Sequence, residues 1–209
     1  GGLSTTAVAA LTTTILSGLT TTQVGGLTST QVGAITSSQV TSLTTTQLAA
    51  LTTTQVGGLT ATQIGVLTTT QSNSLTSTEI GALTTTQLAG LKSANVATLS
   101  TTQVGGLTAT QIGALSTTQV GGLTSTQVGA LTTTQLAGVT ATSIGALTST
   151  QASGLTTTEI GALTVTQMGG IKAASLTGMT TTQLGTFDAT QVGGLSTTAV
   201  AALTTTILS

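Results

Sequence analysis

The chain has 209 residues, 38% of them hydrophobic and 2% charged, with a formal net charge of −1 and no His, Cys, Pro, Trp, Tyr or Arg. These absences exclude a disulfide framework, thiolate or imidazole metal ligation and the usual general base. Two Lys provide no basic field for phosphates, so no enzyme activity, cofactor, metal or nucleic-acid partner is expected.

From Leu3 the sequence divides into octads without insertion: LSTTAVAA, LTTTILSG, LTTTQVGG (19–26), LTSTQVGA (27–34), and so on to LSTTAVAA at 195–202. A fixed short period is the mark of a repeat architecture. Residues 1–209 read as one continuous array of 25 complete octads and a partial one. Position 1 is apolar in every complete octad, and position 6 is large and apolar except at Ser72 and Ala152. Leu19, Val24, Leu27 and Val32 represent this predicted core.

Thr, Ser or Asp holds position 2 in 23 octads, and Gln or Glu holds position 5 in 19. That spacing is a capping box. The hydroxyl accepts from the backbone N–H three residues on, and the Gln reaches back to the first N–H. Thr20 with Gln23, and Thr28 with Gln31, represent it. Positions 1 and 6 then fall at N′ and N4, the hydrophobic staple. One-turn capped helices follow. The competing fold is a two-sided β-solenoid, favoured by the strand propensity of Thr and Val and opposed by Ala-Ala and Gly-Ala at its corners, where tight turns prefer Gly, Asn and Asp.

Position 8 alternates along the chain. From the third octad to the twenty-second, odd octads end in Gly (Gly26, Gly58, Gly90, Gly106 and Gly138 among them) except at Ser42 and Ser74, and even ones in Ala34, Ala50, Val66, Ala82, Thr98, Ala114, Ala130, Ala146, Ala162 and Gly178. Position 3 alternates as well, mainly Thr in odd octads and mainly Ser or Ala in even ones. The expected solenoid therefore has two octads, or sixteen residues, in each coil. Such a coil needs its neighbours to be stable.

Further along, residues 67–98 and 147–178 share their exceptional positions at an offset of 80: Ser72 with Ala152, and Lys92 with Lys172. Glu79 to Lys92 and Glu159 to Lys172 are each 13 apart, which in a two-octad coil predicts inter-coil ion pairs. Both Lys octads, LKSANVAT and IKAASLTG, lose the Gln at position 5 together with the hydroxyl at position 2. Asp188 replaces Thr as an N-cap. Residues 193–209 repeat 1–17 without a change, defining a 192-residue higher-order unit. No apolar run approaches the ~18 to 20 residues of a spanning helix, and a secretion signal would lie outside the segment.

The run LTTTQVGGLTSTQVGA (19–34) resembles the Leu-Thr-x-x-Gln-Val-Ala-Ala octads of very large secreted proteobacterial surface proteins, often labelled adhesins or haem-utilisation proteins. The resemblance implies an extracellular or cell-surface location and a role as a self-assembling filament or adhesin shaft, associating end to end or laterally. A haem role is not carried over, because no His, Cys or Tyr is present. The alternative expectation is ice binding through a flat Thr array, by likeness to Thr-rich antifreeze β-solenoids.

Overall fold

The computed structural model describes residues 2–207, with side chains described for 2–203. Gly1, Leu208 and Ser209, and with them the end of the second 17-residue copy, lie outside the described residues. Each of the first 24 octads forms one short α-helix, such as Thr21–Gly25, Ser29–Ala34 and Thr85–Leu88, the last helix, Thr197–Ile207, runs from the twenty-fifth octad into the partial one, and the described residues contain no strand. The β-solenoid alternative is thereby overturned. Local hydrogen bonding within each octad outweighs the strand propensity of Thr and Val.

One octad folds as follows. Position 2 is extended (Thr28 φ −75°, ψ 160°) and its side chain accepts from the N–H of position 5, while the Gln31 side chain accepts from the N–H of Thr28. The same reciprocal box forms in every octad from the third to the twenty-fourth that has Gln or Glu at position 5. The helix closes when the N–H of the next position 1 donates to the carbonyl of position 6, as Leu27 does to Val24 at 3.1 Å. Extended backbone at position 1 (Ile35 φ −65°, ψ 146°) then turns the chain into the next octad.

The chain forms two compact units, Gly1–Gly106 and Leu107–Ser209. In the first, each helix packs on the one three octads later: Thr5–Ala9 on Ser29–Ala34, Thr13–Gly18 on Ser37–Ser42, and Ser77–Ala82 on Thr101–Gly105. In the second, Ala109–Gly113 packs on Thr133–Ala137, and Val165–Gly170 on Ala189–Gly194. The coil in both units is therefore three octads rather than the expected two. The two-octad alternation has a different cause, set by how layers meet.

Three is odd, so an odd octad always stacks on an even one. In the first unit a Cβ on Gly58, Gly90 or Gly106 would lie under 3.0 Å from the position-3 carbonyl of Ser29, Ala61 or Ser77, three octads earlier. Gly33 and Gly81 in turn face the carbonyls of Gly58 and Gly106 under the same limit. In the second unit Gly138, Gly154 and Gly170 meet Ala109, Ser125 and Ala141 in the same way. No described Gly has positive φ, so these glycines serve close approach of backbones. The pattern fails as a set. The octad with Thr45 and Ala49 lies beneath one ending in Ser74, and the octad with Thr157 lies beneath one ending in Thr186, leaving nothing within 4 Å of Gly161.

Burial follows the same layering. Position 6 is buried from the first octad (Val8 0%) through Leu184, whereas position 1 becomes buried only from Ile35 and position 5 from Gln39. Positions 1 and 5 therefore face the preceding coil. The predicted core residues Val24 and Val32 are 1% exposed, while Leu19 and Leu27 are half-buried because they belong to the earliest octads.

Candidate functional site: the glutamine rows between coils

A one-turn helix has too few hydrogen bonds to stand alone. What ties coil to coil is the amide of position 5. Its Oε1 is committed to its own octad, and its Nε2 points to the coil beneath. Gln39 Nε2 donates to the carbonyls of Val8 (3.0 Å), Ala9 (3.3 Å) and Leu11 (2.7 Å). Gln71 repeats this on Val40, Thr41 and Leu43 at 3.0, 3.3 and 2.8 Å. In the second unit Gln151 donates to Val120 and Leu123 at 2.8 and 2.6 Å, and Gln167 to Leu136 and Val139 at 2.7 and 2.8 Å. These Gln are at least nine-tenths buried. Each one therefore closes its own helix start and satisfies the carbonyls at a helix end one coil below.

The capping reading of the sequence thus found one half of the glutamine's work. Thr20 with Gln23 and Thr28 with Gln31 form the expected boxes. The donor half was missed because its partners lie 28 to 31 residues away, a separation that a two-octad coil does not bring together.

Two Glu occupy this position. Glu79 accepts from the N–H and hydroxyl of Thr76 at 2.6 and 2.9 Å, and Glu159 from the N–H of Thr156 at 2.5 Å. The register that neighbouring Gln obey would aim the other oxygen of Glu159 at the carbonyls of Val128, Gly129 and Leu131, where Glu has no donor to offer. Acceptor then faces acceptor. Glu159 is 3% exposed and its Oε1 has no hydrogen-bond partner.

The predicted ion pairs do not form. Lys92 and Lys172 are exposed N-cap residues without a side-chain cap bond, while Glu79 and Glu159 are buried at helix starts. With three octads per coil, two octads' separation puts Glu and Lys on different sides, and among the described residues no ion pair joins them. Lys92 instead borders an open surface recess with Ala61, Gly65, Val66, Ala89 and Gly90.

The exceptional positions at the 80-residue offset form a different device. Asn95, replacing Gln three octads above Ser72, donates to Ser72 Oγ at 2.7 Å and to the Leu67 carbonyl at 3.0 Å. Ser175, three octads above Ala152, donates to the Leu147 carbonyl at 2.9 Å. A shorter position-5 side chain reaches the carbonyl of position 1 in the coil beneath and sits over a reduced position 6. Asp188 is the N-cap expected, accepting from the Gln191 N–H at 2.7 Å.

The core of the second unit holds a cavity of about 10 Å³ lined entirely by apolar side chains, among them Ile112, Val120, Val128, Leu136 and Ile144. That is the space of about one water. Among the described residues no three acidic, His or Cys side chains converge, and no helix is long and apolar enough to cross a membrane. Thr and Ser hydroxyls at position 2 are spent in caps, and those at positions 3 and 4 lie on one-turn helices rather than in a strand ladder.

No curated protein matches the chain. A family model described as the ALTTAQ repeat matches residues 80–117, 101–133 and 110–141. The six letters fall on positions 8 and 1 to 5 of the octad, as in Ala82-Leu83-Thr84-Thr85-Thr86-Gln87, so they span the cap and the position-5 amide. Residues 80–141 are a Thr-rich tandem repeat similar to the ALTTAQ family.

Proposed function

We propose that the chain is a structural repeat segment, part of an extracellular filament or adhesin shaft at the cell surface. The observation that carries this reading is the commitment of the buried polar groups to stacking: position-5 amides join helix starts to the carbonyls of the coil beneath. Each coil is thus a surface made for another coil, the property a spacer or fibre uses. A net charge of −1 keeps electrostatic repulsion between copies low. The resemblance of the octads to those of secreted surface proteins supports the location.

Two measurements test it. Antibody raised against the chain labels intact, non-permeabilised source cells if the segment is displayed; labelling after lysis alone refutes the surface location. Electron microscopy of the purified chain shows linear assemblies if it forms fibres, with an axial repeat of about 8 to 10 Å for stacked helical coils. A reflection near about 4.8 Å would instead mark stacked strands.

A further inference from the structure

Glu159 stands where a glutamine joins two coils elsewhere, and it has no proton to do so. One carboxylate oxygen accepts from the Thr156 N–H at 2.5 Å. The other, Oε1, is buried without a hydrogen-bond partner on a side chain that is 3% exposed. Gln151 and Gln167, one octad to either side, set their donors on carbonyls 28 and 31 residues back, the register that aims Oε1 at the carbonyls of Val128 and Leu131. The Val128 carbonyl accepts one N–H, that of Leu131 at 3.2 Å, and has a lone pair to spare. Oxygen gathers against oxygen at the end of the helix Ser125–Val128, where carbonyls lack intrahelical donors.

No cation of the chain answers this charge. The helix Thr157–Gly161 packs against Thr133–Ala137 and Thr181–Leu184, and apart from Glu159 itself these three segments and residues 128–131 hold no charged side chain. The arrangement recurs in the first unit. Glu79 is 4% exposed and accepts from Thr76 through one oxygen, its register leads to the carbonyls of Leu48 and Leu51, and its helix packs on Thr53–Val56 and Thr101–Gly105, again without a charge. A buried carboxylate left unpaired is costly, and buried charges are paired or bind a metal ion.

We infer that each of these two glutamates, with the backbone carbonyls of the coil beneath, holds one alkali cation, sodium or potassium, which takes the place of the glutamine donor and ties coil to coil. The ligand set is all oxygen, as hard cations require. One carboxylate balances one positive charge, whereas a divalent ion would leave an excess positive charge buried. The inference goes beyond the structural-repeat reading and holds wherever the chain is displayed.

The test compares the full wild-type chain with the Glu79→Gln, Glu159→Gln double variant at neutral pH and equal ionic strength, in sodium, potassium, calcium and tetramethylammonium chloride. Amide exchange over residues 128–131 and 156–163 of the wild type is expected to slow about tenfold in sodium or potassium at about ten times the dissociation constant, relative to tetramethylammonium. The double variant carries its own donors, folds in every salt and shows no such response, so its advantage over the wild type is full in tetramethylammonium and shrinks in the alkali salts. Broadening of the sodium-23 resonance by the wild type and not by the variant reads the bound ion directly. An equal response of both proteins to sodium and potassium is general screening and overturns the site. Protection by calcium alone overturns the charge match. No response to either alkali ion, with protection gained on acidification in tetramethylammonium chloride or not at all, overturns the cation and in the first case makes a proton the bridge.

Discussion

Glu159→Gln converts the acceptor-against-acceptor contact into the standard glutamine bridge. In the wild type one carboxylate oxygen is bonded to Thr156 at 2.5 Å and the other is buried with no partner. Glutamine keeps the first bond and supplies an Nε2 donor where Gln151 and Gln167 reach carbonyls at 2.6 to 2.8 Å. Leaving a buried polar atom unsatisfied costs about 1 to 3 kcal/mol, and a made hydrogen bond contributes about 0.5 to 1.5. The wild-type carboxylate recovers about 0.3 to 1 kcal/mol from its place at a helix start. The expected net gain is about 1 to 3 kcal/mol, or about 5- to 150-fold in a local opening equilibrium. Amide hydrogen exchange at neutral pH reads it where it acts, as slower exchange over residues 156–163 and at the coil beneath, with a higher urea midpoint. The reverse change, Gln151→Glu, loses a comparable amount. If Glu159→Gln leaves exchange unchanged or faster, the glutamine bridge is not what ties the coils.

Three further outcomes are expected. Gly90→Ala drives a methyl into the Ala61 carbonyl and costs about 1 to 3 kcal/mol, whereas Gly161→Ala, with nothing within 4 Å, gains about 0.5 to 1 from helix propensity; urea titration of both separates close approach from helix preference. Ser72→Val deprives Asn95 of its 2.7 Å acceptor, and Asn95→Gln takes the amide off Ser72 Oγ and leaves that hydroxyl buried without its partner, so each destabilises. The double variant restores the common pairing of a position-5 Gln over an apolar position 6, and a double-mutant cycle should show about 0.5 to 3 kcal/mol of coupling. Thr164→Ala removes the cap on the Gln167 N–H at 3.3 Å and costs about 1 kcal/mol, measured by the same denaturation.

The octad, its core positions and its capping boxes were legible because they are local. A hydroxyl and an amide three residues apart, flanked by a staple, fold the same turn whatever lies beneath. Asp188 was readable for that reason. The number of octads per coil was not legible, since the corner angle comes from the extended residue at position 1 and from which helices come to rest on one another. The alternation of position 8 with position 3 was a true signal taken for the coil itself. Two-octad periodicity and a two-octad coil look alike in one dimension. Only the stacking of Gly58 over Ser29, and of Gly90 over Ala61, makes the alternation a match between layers. The ion pairs failed with the coil count, because Glu79 and Lys92 are neighbours only if every second octad is stacked. What sequence alone determined here was the turn, set by bonds spanning three or four residues. What tertiary structure decided was the layer, because the glutamine bonds to the coil beneath span 28 to 31 residues and exist only after three such turns have closed a coil.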